Sequence, residues 1–250
     1  MGLILNTSTV IRNLSIGPLS GGGNGGGGGS SEPSYLVVGA TGATSAGTSN
    51  GGIAYIYNTS DYTAAPLQLT PTPASLSNSP NFGYRSTSTA THTAISAYYE
   101  EGKGAVYIYD STDFTATPTK VMAYDGAGGD LFGEAIALNS NFLAVGASGN
   151  GSNDRGAVYV YDLSNLSAAP TKLVMPDYSS FDYYFGRSVA LNSNQLIIGA
   201  DYETNSRGRY AGSVYVYDVN NLSASPLSPT TIAVVSLALT QGLGTSTVTL

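Results

Sequence analysis

Two pairs of aspartates are the first groups in this chain able to carry chemistry. They are Asp125 with Asp130 and Asp177 with Asp182, each pair with the same spacing and each closely followed by Phe-Gly. Carboxylates placed this way can bind calcium, or divide into the acid and base of glycoside hydrolysis. Repetition argues against hydrolysis, which needs one specialised pair whose members sit in different environments. Equivalent acids in successive repeats are expected instead to bond loop amides or cap turns. A second group occupies two polar loops, SGNGSNDR from Ser148 and DYETNSRGRYA from Asp201. Asp154, Arg155, Asp201, Tyr202, Glu203, Arg207, Arg209 and Tyr210 together could hydrogen-bond to and stack on a sugar or a protein. The plainer reading of them is solvated turns whose arginines balance nearby acids. His92, the single histidine, would have to serve any Ser-His-Asp arrangement. Its context, TATHTAIS, has no nucleophile-elbow signature. It is expected to be a buried or half-exposed strand residue, and no catalytic residue is assigned. Tyr98-Tyr99 and Tyr183-Tyr184 can stack on glycans, but are expected to pack between modules or subunits.

These residues hang on a repeated scaffold. GAVYVYD from Gly156 recurs as GIAYIYN at Gly52, GAVYIYD at Gly104 and GSVYVYD at Gly212, at spacings of 52, 52 and 56 residues. Repetition at such a period marks a modular array in which each unit hides its apolar faces against its neighbours. Strand side chains alternate, so Val158 and Val160 point to one side, Tyr159 and Tyr161 to the other. Both sides are large and mostly apolar, which predicts strands sandwiched between two layers.

Each such strand is preceded by an apolar one: YLVVGA at Tyr35, FLAVGA at Phe142, QLIIGA at Gln195, and TAISAY at Thr93 as a degraded copy. It is followed by a turn-rich connection, for instance DLSNLSAAP from Asp162, ending in Pro66, Pro118, Pro170 or Pro226. Proline there restricts entry into a further short strand such as TKLVM. Phe82-Gly83, Phe132-Gly133 and Phe185-Gly186 open the last element. In FGEAIALNSNFLAVGA and FGRSVALNSNQLIIGA, Asn-Ser-Asn joins two apolar strands as a hairpin. One module is therefore four strands, the size of a propeller blade. The Asn-Leu-Ser sequons at Asn13, Asn165 and Asn221 fit glycosylation syntax, but the last two fall in the repeated turn and need only turn chemistry.

The recurring Phe-Gly, Gly-Ala and GAVYVYD elements resemble FG-GAP repeats, the blade unit of the β-propeller in integrin α-chain heads and in many bacterial and phage surface proteins. The resemblance covers Tyr35 to about Pro226 and implies an all-β, FG-GAP-like β-propeller of about four four-stranded blades. Many members of that family carry a calcium loop of alternating Asp and Asn around a Gly. At its position this chain has only Asn139-Ser140-Asn141 and Asn192-Ser193-Asn194. No cofactor is therefore expected, and calcium only away from the usual loop, at Asp125, Asp130, Asp177 or Asp182. Family propellers commonly have seven blades. This chain is expected either to close a small propeller, with a terminal segment supplying the strand missing before Tyr35, or to form an open array completed by neighbouring subunits.

Composition narrows the functional classes. Nine Lys and Arg against 16 Asp and Glu give a net charge of −7, unfavourable for attraction to nucleic acid or anionic membrane. No apolar run reaches 18 residues, so a spanning helix is unsupported. With no cysteine, neither disulfides nor a cysteine metal site is available. The N-terminus lacks the features of a secretory signal. Yet the abundance of Gly, Ser, Thr, Asn and Tyr resembles extracellular and virion proteins. The expected organisation is an N-terminal β attachment segment at 1–17, a Gly-rich linker at 18–34, propeller repeats at 35–226, and C-terminal strands at 227–250 that close the propeller or meet a partner. The expected role is a non-enzymatic structural or adhesive protein of an extracellular or virion assembly, of the phage fibre or capsid-decorating type. Its expected partners are other structural proteins and itself, or surface glycans bound by the rim loops.

Overall fold

The computed structural model describes residues 11–16 (backbone only), 35–45, 49–59, 61, 63–71, 80–151, 154–175, 184–202 and 212–226. All of them belong to strands or their connections, apart from one short 3-10 turn at Glu100–Gly102. The first sheet runs β1 (Ile11–Ile16), β2 (Tyr35–Ala40), β3 (Ile53–Asn58) and β4 (Leu67–Leu69). The second runs β5 (Ser86–Ser88), β6 (His92–Ala97), β7 (Ala105–Asp110) and β8 (Thr119–Val121). The third runs β9 (Ala135–Leu138), β10 (Phe142–Ala147), β11 (Ala157–Asp162) and β12 (Thr171–Val174). The fourth runs β13 (Ser188–Leu191), β14 (Gln195–Ala200) and β15 (Ser213–Asp218). Every pairing is antiparallel between consecutive strands, so each sheet is an up-and-down blade. The two Asn-Ser-Asn hairpins form as expected. The Oδ1 atoms of Asn139 and Asn192 accept the backbone N–H groups of the two residues that close each turn.

Alternation along β11 divides its side chains between two cores. Tyr159 and Tyr161 face the second sheet and pack with Ala94, Val106, Ile108 and Val121. Val158 and Val160 face the fourth and pack with Leu196, Ile198, Tyr215 and Tyr217. The same division recurs between the first and second sheets, where Val37, Ala54 and Ile56 meet Ile95, Tyr107 and Tyr109. Each internal junction thus presses a β-branched face of one sheet against a tyrosine face of the next. Val158, Tyr159, Val160 and Tyr161 are all buried. These are strands covered on both sides, as the pattern of two apolar faces requires.

The Phe-Gly and Gly-Ala elements meet at the seam between sheets. Gly52 and Phe82 form a parallel bridge, as do Gly156 and Phe185. Each phenylalanine belongs to the sheet it opens, and its ring packs edge-on to the first tyrosine of that sheet's third strand: Phe82 to Tyr107, Phe132 to Tyr159 and Phe185 to Tyr215. The backbone is closest at the glycines. A Cβ on Gly39 would lie 1.9 Å from the Gly83 carbonyl oxygen, and one on Gly146 equally close to that of Gly186. Only a residue without a side chain fits there.

The strand that Tyr35 needs beside it comes from the N-terminal segment. β1 pairs with β2 from Ile16↔Leu36 to Ile11↔Ala40. Packing between strands of different sheets joins the first to the second, the second to the third, and the third to the fourth through β1, β5, β9 and β13. Among the described residues no comparable strand packing joins the fourth sheet to the first. Closure onto itself, one of the two expected arrangements, is therefore not observed among the described residues, whose sheets form an open blade array. The Gly-rich tract and residues 227–250 lie outside the described residues. No helix among the described residues is long and apolar enough to cross a membrane.

Candidate functional site

The described residues of the loops between second and third strands lie at one rim of the sheets. At each seam, the loop between the second and third strands of one sheet bonds to the Phe-Gly connection entering the next. Asn81 N–H donates to Asn50 O, Gly129 N–H to Gly102 O, Phe132 N–H to Lys103 O, Tyr184 N–H to Asp154 O and Phe185 N–H to Arg155 O. The opposite edge carries the Asp and Asn turns. Asp110 holds Thr112, Asp162 holds Ser164, and Asp218 holds the Asn220 N–H, all as Asx turns. Hydrogen bonds from those partners hold the Asp110 and Asp162 carboxyls below the ordinary range. Asn165 and Asn221 spend their Oδ1 atoms on Ser167 and Ser223, in keeping with turn chemistry for the two sequons.

On the rim of the second sheet, Glu100 is buried at 2 % exposure and satisfied by two partners. Tyr107 donates to both of its oxygens at 2.7 Å, and Lys120 Nζ approaches Oε1 at 2.5 Å. Lys120 faces Tyr107 in the β7–β8 register, which sets it beside the same carboxylate. A buried carboxylate is tolerated only when so paired. Burial and the bond to Glu100 push the Tyr107 hydroxyl far above its usual range. Burial alone would lower Lys120, but its bonds to Glu100 and Glu101 outweigh that and raise it.

The third sheet repeats the device with different residues. Lys172 faces Tyr159 in register, and Tyr159 and Lys172 both donate to Asp125, each at 2.6 Å. Lys172 also bonds Asn150 Oδ1, and Asn150 Nδ2 donates to Asp130 Oδ2, which accepts the Ala127 N–H as well. Asp130 is buried and Asp125 exposed. Burial would raise Asp125, but the Lys172 and Tyr159 bonds outweigh it and leave the carboxyl lowered. The weak calcium candidates Asp125 and Asp130 thus join through Asn150 and Lys172 into one network that knots two loops to the sheet. Among the described residues no group of three or more His, Asp or Glu side chains could hold a metal ion. Asp177 and Asp182 lie outside the described residues.

The loop candidates separate. Asp154 is exposed with φ +48°, and Arg155 is half-buried next to it. Asp201 and Tyr202 sit at the end of β14, and both are exposed. Arg187 reaches Asp201 Oδ2 at 3.6 Å and stacks over the rings of Tyr184 and Tyr202, which are themselves edge-on at 5.2 Å. This is a solvated arginine–aromatic cluster of the kind that can pack on a sugar or a planar side chain. Glu203, Arg207, Arg209 and Tyr210 lie outside the described residues. Tyr98 stacks on Tyr84 at 4.0 Å and touches Tyr99, whereas His92 is half-buried on β6 and bonded to Thr91.

Sequence reasoning missed Glu100, Lys120, Lys172, Asn150 and Arg187. A signal for two of them was present. The repeated Pro-Thr-Lys at Pro118 and Pro170 puts a lysine at the same step of each fourth strand, opposite the first tyrosine of YIYD or YVYD. Glu100 and Asn150 each stand three residues beyond the Ala that ends the preceding strand, Ala97 or Ala147.

No curated protein matches the chain. Residues 117–161 and 170–217 do match the family model of the FG-GAP repeat. Each matched stretch takes in the outer strand of one sheet and the three following strands of the next. The chain thus carries two stretches similar to FG-GAP repeats, set in an all-β array of blade-like sheets.

Proposed function

We propose that the chain is a non-enzymatic structural or adhesive module of an extracellular or virion assembly, of the phage fibre or capsid-decorating type. The observation carrying this reading is where the repeated residues are spent. The tyrosines and phenylalanines of the second, third and fourth sheets join each to the sheet before it, and the rim acids Glu100, Asp125 and Asp130 are bonded to tyrosine, lysine, asparagine or backbone. Such a scaffold supports surface loops without committing them to catalysis. The module needs no cofactor, and its partners are other structural proteins and copies of itself. Immunogold labelling with an antibody to the chain tests this: label on released particles or on the cell exterior is expected, and label confined to the cell interior overturns it.

A second reading has one observation in its favour. The cluster of Arg187, Tyr184, Tyr202 and Asp201 presents an arginine and aromatic rings on the rim of the fourth sheet. That arrangement suits recognition of a glycan. Glycan-array binding lost in both Tyr202→Ala and Arg187→Ala would establish it, and absence of binding by the intact chain would remove it.

A further inference from the structure

The two ends of the array carry the two halves of an internal junction. At the first seam, Val37, Ala54 and Ile56 bury Tyr107 and Tyr109; at the second, Ala94, Val106 and Ile108 bury Tyr159 and Tyr161; at the third, Ala144, Val158 and Val160 bury Tyr215 and Tyr217. The corresponding tyrosines of the first sheet are Tyr55 and Tyr57. They lie on the face turned away from the second sheet and, with Leu36 and Ile53, are only half-buried. Val38 and Ala40 on that face are buried. The corresponding β-branched face of the fourth sheet is Ile197, Val214 and Val216, with Gly199 at the close-approach position. All four are half-buried, while the other face of that sheet is packed against the third.

Tyrosine ionisation reports the same difference. Burial raises Tyr217 to about 12, and pushes Tyr109 and Tyr161 above that, whereas Tyr57 is raised to a lesser degree by burial and by Tyr55. Among the described residues no sheet packs on the Tyr55 and Tyr57 face, whereas the tyrosine faces of the other three sheets are covered by the sheet before them.

We infer that the Ile197, Gly199, Val214 and Val216 face of one copy docks on the Leu36, Ile53, Tyr55 and Tyr57 face of a second copy, reproducing the internal seam between chains. The occupant is a second copy because each end presents the shape and chemistry that the opposite end receives three times within the chain. Two unlike faces make the contact heterologous, and such contacts generate rings where the rotation closes. Two copies joined twice make a closed ring of eight sheets, at the upper end of the common propeller sizes. The inference rests on reading the chain as an assembly module, but its test is separate: labelling outside the cell can succeed while the ring fails.

The test uses the full 250-residue chain. Sedimentation equilibrium is expected to give the mass of two copies, and Val216→Arg to weaken self-association by about 100-fold, as expected for a charge forced into an apolar interface. Circular dichroism checks that the variant remains folded. Because the sequence has no cysteine, Tyr57→Cys and Val216→Cys introduce the only thiols. Mixing the two single variants under oxidation should give a disulfide-linked pair that neither gives alone. A monomeric mass for the intact chain overturns the inference, as does a dimer unaffected by Val216→Arg. Self-linking of either cysteine variant alone would mean like faces meet, and an internal disulfide in a monomeric double variant would mean the chain covers its own ends; each overturns it.

Discussion

Gly39 of the first sheet backs onto Gly83 of the second so closely that a methyl group on its α-carbon would sit 1.9 Å from the Gly83 carbonyl oxygen. Gly146 and Gly186 repeat the contact two sheets on. Because the obstacle is backbone, no rotamer change relieves it, and the sheets themselves must part. Gly146→Ala is therefore expected to cost about 3 kcal/mol or more, at the top of the overpacking range. Gly129, at φ +91° with nothing within 4 Å of an added Cβ, provides the comparison. Gly129→Ala should lose only about 1–2 kcal/mol, the strain of an L residue in the left-handed region. Urea melts of the two variants check the difference.

Removing the Tyr107 hydroxyl leaves the buried Glu100 carboxylate with Lys120 but without its phenolic donor. Tyr107→Phe is expected to destabilise by about 1–3 kcal/mol, the range for an unsatisfied buried polar group. Tyr159→Phe should cost less, since the Asp125 side chain is 38 % exposed and water can replace the lost donor. A double-mutant cycle with Lys120→Met would separate the phenol from the ammonium.

Stability should decline at both ends of the pH range. Burial, assisted by neighbouring acids, raises Tyr107, Tyr109, Tyr159 and Tyr161. A raised tyrosine contributes stability that is complete below its unfolded value of about 10 and is lost as pH climbs toward its folded value. Asp125 is lowered, so its contribution is complete above about 3.9 and is lost on acidification through the folded value. The melting temperature should hold a plateau between these limits and fall beyond pH 10. Tyrosinate absorbance should then rise together with unfolding, and ionisation without unfolding would contradict the burial.

Val158 is fully buried between the third and fourth sheets, while Val214 holds the corresponding position on the outer face of the fourth and is half-buried. Val158→Asp is expected to cost several kcal/mol, as an unpaired charge in a core does. Val214→Asp in dilute solution should cost clearly less. Equal melting temperatures for Val158→Asp and the parent would mean that β11 is not sandwiched.

Calcium should leave stability unchanged at the Asp125 and Asp130 network, where lysine, asparagine, tyrosine and backbone N–H groups already serve the carboxylates. A site filled at a hundredfold excess over its dissociation constant would add about 2.7 kcal/mol. A melting temperature raised by calcium and restored by chelator would contradict this.

The alternation in GAVYVYD was enough to assign Val158 and Val160 to one neighbour and Tyr159 and Tyr161 to another, because side-chain direction in a strand is a local property. Phe82 and Gly83 were legible as the start of the last element of a module. Their second role, at the seam against Gly39 and Gly52, was not, since it depends on how two sheets approach. The repeated acids were legible in the sequence, but the partners of Asp125 were not foreseen, and Asp177 and Asp182 lie outside the described residues. Asp125 finds Tyr159 and Lys172 from 34 and 47 residues away, and only the strand register brings those two side by side. Whether the sheets close was likewise hidden, because the innermost strand of the first sheet does not adjoin the rest of its repeat in sequence.

That separated strand has an entropic consequence. β1 and β2 are neighbours in the sheet but are divided by residues 17–34, so pairing them closes a loop that no other sheet must close. Closure of such a loop costs on the order of 2–3 kcal/mol, and doubling its length adds only about 0.6 kcal/mol. The number of residues in the glycine-rich tract is thus almost free to drift under insertion or deletion, while the six residues of β1 are held to register by the strand they complete.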